Sequence, residues 1–159
     1  MNRRNFAREL LRLTQSFDGY KPKLLLHACC GPCSTAVLEM LADKFDVTVF
    51  WYNPNIYPQE EHDKRLDTLN DVIRLMEYQG KVKVIKADYN EDEYLEAVKG
   101  WESEPEHGKR CEKCFEIRLF RCAKAASELG FDYFCTTLTV SRHKNAVLIN
   151  EIGERAGEK

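Results

Sequence analysis

The sequence predicts a three-layer α/β/α fold built on a mainly parallel sheet of about four to five strands. Four short apolar runs rich in β-formers punctuate amphipathic stretches, in the order α-β-α-β-α-β-α-α-β-α. Alternation of this kind marks strands joined by crossover helices, and those crossovers are right-handed. With 159 residues and 43% hydrophobic content, residues 1–159 are expected to form a single domain with a core of its own. Ligands in such a fold sit at the carboxyl ends of the strands.

The elements follow in order. Phe6, Leu10, Leu13 and Phe17 recur at helical spacing, which predicts an N-terminal amphipathic helix over about residues 3–17. Residues 24–28 form the first strand, and Ser34 can N-cap a helix over 34–44 that carries Val37, Leu38 and Leu41. The second strand, 46–52, holds Val47, Val49, Phe50 and Trp51; Pro54 then removes an amide donor and pushes Asn53 out of the helical region. A long helix over 60–79 closes at Gly80, and Val82, Val84 and Ile85 mark a third strand over 81–87. Helices over 91–101 and 111–129 follow, the latter closed by Gly130. A fourth strand over 133–140 and a last helix over 143–155, with Ser141 as its cap, complete the order.

Composition narrows the function classes. A net charge of -2 excludes a protein that holds nucleic acid by global charge, so a nucleic-acid partner must meet a local basic patch. Two such clusters exist, residues 3–23 and 109–124, each with six Lys or Arg against two acids. Residues 88–106 carry eight acids against Lys99 and read as a solvated face. No run approaches the roughly 18 apolar residues of a membrane span, and no apolar h-region follows the charged N-terminus. The expected setting is a reducing cytoplasm with no membrane partner. There, seven cysteines, an odd number, point to metal binding or redox work rather than structural disulfides.

Five of the seven thiols form two groups. Cys29, Cys30 and Cys33 leave the first strand in the run His27-Ala28-Cys29-Cys30-Gly31-Pro32-Cys33-Ser34, while Cys111 and Cys114 open the long helix. Neighbouring side chains in a strand point to opposite faces, so Cys29 and Cys30 can share a centre only if Gly31-Pro32 turns the chain. Cys111 and Cys114, at i and i+3, share one helix face, and Lys109, Arg110 and Lys113 around them are expected to depress their pKa values. Four thiolates from Cys29, Cys30, Cys111 and Cys114 suit a tetrahedral zinc or a cubane iron–sulfur cluster, and spacing does not separate the two. A third reading is a thiol–disulfide oxidoreductase using Cys30-Gly31-Pro32-Cys33. Cys122 lies roughly 16 Å along the helix axis from Cys111 and reads as core, as does Cys135; His27 reads as a structural histidine.

Other polar positions gather at predicted strand ends. Asn53, Asn55 and Tyr57 leave the second strand and can orient a substrate, with Glu61, His62 and Arg65 beginning the helix beside them. Ser141, Arg142, His143, Lys144 and Asn145 follow the fourth strand, where a cap and exposed cations also suit a phosphate.

These residues carry a family resemblance. His27-Ala28-Cys29-Cys30-Gly31-Pro32-Cys33, Tyr52-Asn53-Pro54-Asn55-Ile56-Tyr57-Pro58 with Glu61 and Arg65, Arg110-Cys111-Glu112-Lys113-Cys114-Phe115 with Arg118, and Thr136-Thr137-Leu138-Thr139-Val140-Ser141 with Lys144-Asn145 resemble epoxyqueuosine reductases of the QueH type, in order from about residue 22 to 153. The resemblance implies a Rossmann-like unit related to adenine-nucleotide α-hydrolases, with the Gly-rich phosphate loop replaced by residues 29–34. It implies an oxidoreductase that reduces the epoxide of epoxyqueuosine in tRNA to queuosine without cobalamin, fed by an unidentified electron donor. It further implies a [4Fe-4S] cluster on Cys29, Cys30, Cys111 and Cys114, an adjacent mononuclear iron contacted by Cys33, catalytic roles for Cys33, Ser141 and Lys144, and substrate contacts from Asn53, Asn55, Tyr57, Arg65 and Arg118. The rival to this enzyme is a zinc-stapled tRNA- or protein-binding module. Family members continue to a Cys-Gly-Cys segment, whereas this sequence stops at Gly157-Glu158-Lys159, so a family C-terminal segment is expected to be missing.

Overall fold

A computed structural model describes residues 4–159, so Arg3, the first residue of the expected N-terminal helix, lies outside the described residues. The elements are α1 (Phe6–Gln15), β1 (Lys23–His27), α2 (Gly31–Leu41), β2 (Asp46–Trp51), α3 (Gln59–Leu75), β3 (Lys83–Lys86), α4 (Glu91–Ala97), α5 (Lys109–Glu128), β4 (Tyr133–Thr136), a 3-10 turn (Leu138–Val140) and α6 (Ala146–Gly157). The four strands pair in the order β3-β2-β1-β4, every pair parallel, so the expected Rossmann-like α/β/α architecture is present with four strands among the described residues.

Strand alternation divides the core into two faces. Leu24 and Leu26 of β1 and Val47, Val49 and Trp51 of β2 pack with Leu38 and Leu41 of α2 and Leu69 and Ile73 of α3. Leu25, Phe50 and Tyr52 point the other way, onto Cys122, Ala125 and Ala126 of α5. Cys29, in phase with Leu25 and His27, meets Phe115 and Leu119 of α5 together with Ile149 and Ile152 of α6. The amphipathic α1 lays Leu10 against the first face, and Phe17 beyond it meets the Phe45 ring edge-on at 5.1 Å between centroids.

The strand order fixes where chemistry belongs. After β1 the chain moves through α2 to β2 on one side, whereas β4 lies on the other side of β1. The carboxyl ends of β1 and β4 therefore flank the switch point of the sheet, where an open α/β fold leaves a crevice. Cys29 and Cys30 leave β1 there, and Thr137 leaves β4.

Several boundaries differ from the sequence expectations. The fourth strand stops at Thr136, because its hydroxyl accepts the Leu138 amide at 3.1 Å and turns the chain into the 3-10 segment. Cys30, not Ser34, caps α2; Ser34 lies inside the helix and donates its hydroxyl to the Cys30 carbonyl at 2.8 Å. Asn145, not Ser141, caps α6 by accepting the Leu148 amide at 3.1 Å, while Ser141 closes the preceding turn by accepting from His143 at 3.3 Å. The third helix ends at Leu75 because Glu77, at φ 58, enters the left-handed region before Gly80 does. Gly130, at φ 71, does follow the end of α5. Gly31 is needed for close approach rather than for a left-handed turn: a Cβ there would stand 3.0 Å from the Thr68 carbonyl oxygen of α3.

Candidate thiol and cation centre

The cysteine loop is shaped by the start of α2. Cys30 is extended, at φ -162, and its sulfur accepts the Cys33 amide at 3.4 Å, so the thiol acts as the helix cap. Pro32 stands in the first turn of α2, where a missing amide donor costs nothing. The positive end of the helix thus faces Cys30. The Cys29 thiol beside it lowers the Cys30 pKa, whereas Cys30 and burial together raise that of Cys29. Cys29, 3.9 Å from the Thr137 hydroxyl, is the buried neighbour.

The second thiol group comes from α5. Cys111 packs against the same apolar cluster as Cys29 and Cys30, and its sulfur accepts the His107 amide at 3.4 Å. Cys114 follows one turn later. Burial raises its pKa, contrary to the depression expected from the local lysines. The reason is that Lys109 pairs with Glu112 at 2.9 Å and Lys113 with Glu116 at 2.8 Å, so both ammonium groups are neutralised on the helix surface.

The cations that do face the thiols are Arg118 and Lys144. Arg118 is 4% exposed; its Nη2 donates to the Cys114 sulfur at 3.1 Å and its Nε to the Cys114 carbonyl at 2.9 Å. Among the described residues it forms no ion pair with a carboxylate, and neither does Lys144. Both charges lower the pKa values of Cys29 and Cys114, against the opposing effects of burial. A buried guanidinium requires an anion, and the Cys114 and Cys29 sulfurs within its reach become anions when a metal displaces their protons. The donor chemistry therefore fits an anionic metal–thiolate centre. Among the described residues, no group of three or more His, Cys, Asp or Glu side chains is assembled as a metal site; Cys29, Cys30 and Cys111 share one apolar cluster.

His27 joins the strand ends behind this centre. Its Nε2 donates to the Tyr52 carbonyl at 3.1 Å, which leaves Nδ1 to accept from the Thr136 hydroxyl at 3.0 Å. Burial, reinforced by the Arg118 charge, pulls its pKa down to about 3. The structural role expected for this histidine is what the geometry describes. Cys122 is buried in the core, with burial raising its pKa, and Cys135 is partly buried against the other face, as expected of core thiols.

The remaining expected residues take distinct places. Asn53 is buried and donates its amide to the Ala28 carbonyl at 2.8 Å, tying the exit of β2 to that of β1. The side-chain oxygens of Asn53 and Asn55 are both buried without a hydrogen-bond partner. Tyr57 is 54% exposed. Arg65 pairs with Glu61 at 2.7 Å on the solvent side of α3. Cys33 is half-buried in the first turn of α2, and the Ser141 carbonyl accepts the Lys144 amide at 3.1 Å. One neighbour escaped sequence reading: Tyr94 of α4 lies within electrostatic reach of Cys114 and Cys111. It sits in the acidic stretch, where no motif or periodicity marks it.

The family model described as Epoxyqueuosine reductase QueH matches residues 24–159. Curated proteins of that name are similar: one from Streptococcus pyogenes serotype M1 is 40% identical over 155 residues, covering 94% of this chain and 60% of that protein. Another, from Staphylococcus epidermidis, is 44% identical over 142 residues, covering 86% and 59%, and one from Histophilus somni is 44% identical over 155 residues, covering 97% and 60%. The chain thus spans about three fifths of the length of these relatives.

Proposed function

The chain belongs to the epoxyqueuosine reductase QueH family, and on that premise we propose that it reduces the epoxide of epoxyqueuosine at the wobble position of tRNA, in the cytoplasm. One observation carries this reading: Arg118, buried and without a carboxylate, lies against Cys114 within reach of Cys29. Such a cation suits a centre with net negative charge. Cys29, Cys30, Cys111 and Cys114 would hold a [4Fe-4S] cluster, and Cys33 would contact an adjacent mononuclear iron. When bound, the cluster supplies electrons, which zinc, a metal without redox chemistry, cannot do.

The reduction consumes an electron pair and a proton pair, converts the epoxide to an alkene and releases its oxygen as water. The electrons come from a separate donor. Lys144, a half-buried cation at the sheet edge, is the proton source for the departing oxygen, with Ser141 fixing its turn through the backbone. Arg118 holds the negative charge of the centre, and Asn53, Asn55, Tyr57 and Arg65 serve the substrate side.

The test is anaerobic purification followed by iron, sulfide and zinc analysis. The expected result is a brown protein with about five iron to four sulfide, both lost in Cys29→Ala and in Cys111→Ala. A colourless protein holding only zinc would overturn the redox reading in favour of a binding module. The lowered pKa of Cys30 favours one other reading, dithiol exchange. That reading predicts a metal-free protein that reduces disulfides and loses this activity in Cys33→Ser.

A further inference from the structure

We propose that Tyr57 and Tyr94 form a stacking clamp for the nucleobase that carries the reacting group. This inference rests on the reductase reading above and adds to it the mode by which the base is held. The two rings belong to different elements, Tyr57 to the turn after β2 and Tyr94 to α4, and they are neighbours, with centroids 6.3 Å apart and planes inclined by 37°. A base between two rings needs about twice the ~3.4 Å stacking separation, so the rings part and turn parallel to admit one.

Both walls are held in place. The Tyr89 hydroxyl donates to the Ile56 carbonyl at 3.0 Å and so ties the Tyr57 turn to the segment leading into α4. The Tyr52 hydroxyl donates to Glu93, which ties α4 itself to the exit of β2.

Three further observations point to a base as the occupant. Tyr57 is more than half exposed, and an idle apolar ring gains nothing in water. Asn55, two residues before it, keeps a side-chain oxygen out of solvent with no donor to satisfy it, and a nucleobase edge brings N–H groups. The first turn of α4 carries Glu91, Asp92 and Glu93, which repel a phosphate but not a neutral ring. Helix α4 packs against α5, whose first turns carry Cys111 and Cys114, so a base held against Tyr94 lies on the side of that thiol pair.

The test uses an anticodon stem–loop RNA with epoxyqueuosine at the wobble position, and the same RNA made abasic there. Binding is followed by anisotropy and turnover by product analysis, with iron-loaded wild type, Tyr94→Ala, Tyr94→Phe, Tyr94→Leu and Tyr57→Ala. Stacking on an aromatic ring predicts that wild type prefers the intact RNA by about five- to a hundredfold. The preference is retained in Tyr94→Phe and lost in Tyr94→Ala, Tyr94→Leu and Tyr57→Ala, all of which should melt like wild type. Equal preference in all variants, or rescue by Leu as good as by Phe, overturns the clamp while leaving the reductase reading in place. Selective binding without turnover keeps the clamp and removes the reductase reading. Failure of wild type to distinguish the two RNAs overturns the clamp whatever the turnover.

Discussion

At the scale of single residues, charge and burial decide more than residue type. Arg118 has the sequence neighbourhood of an ordinary surface arginine on a helix, yet it is buried against Cys114 with no carboxylate partner. His27 shows the converse. It is an ionisable group whose bonds to Tyr52 and Thr136 complete the neutral ring and leave no room for a second proton. Its pKa, near 6.5 in an unfolded chain, is pulled down to about 3 in the fold. Between these values the unfolded state binds the proton and the native state does not, so stability is lost as pH falls through this window. The loss is about 1.4 kcal/mol per pH unit, or about 2 kcal/mol from pH 6.5 to 5. Urea denaturation should reveal that acid loss in wild type and not in His27→Gln, whose amide keeps the donor to Tyr52. Parallel pH profiles for the two proteins would contradict it.

At the scale of elements, the site is built from ends. The thiol loop is where β1 stops and α2 begins, and its shape depends on how close α2 comes to α3. Gly31 has an ordinary φ, but a Cβ there would press on the Thr68 backbone, which cannot move without displacing α3. Gly31→Ala should therefore destabilise the fold by about 1–3 kcal/mol and shift the Cys30 cap, which should lower iron retention as well as the urea midpoint. An unchanged midpoint would mean that α3 yields more easily than its packing implies. The element boundaries also measure what sequence patterns can carry. Strand and helix periodicity was legible wherever an element had an apolar face, which the acidic α4, with no buried residue, lacks. The caps were not, since Ser34 and Ser141 are ordinary cap residues by type and lost the role to Cys30 and Asn145 through the positions of Pro32 and of the 141–144 turn.

At the scale of the molecule, the centre would join what the chain keeps apart. Cys29 and Cys30 belong to the sheet edge, whereas Cys111 and Cys114 belong to α5, more than 80 residues later. A metal bound by both would lock α5 to the sheet and stabilise the folded state by mass action. Chelation of iron should lower the melting temperature and speed amide exchange over residues 29–34 and 108–114, while Val47 and Val49 in the central strands stay protected. Uniform exchange before and after chelation would show that the two thiol groups hold no common ion. The sequence by itself determined the parallel α/β class, the two thiol groups and the family, because periodicity and short motifs are local properties of the chain. Tertiary structure alone decided which cations face the thiols, which residues cap the helices around them, and that Tyr94 stands beside Tyr57. Those are contacts between residues distant in sequence, set by the order of strands in the sheet and by the burial of one element against another.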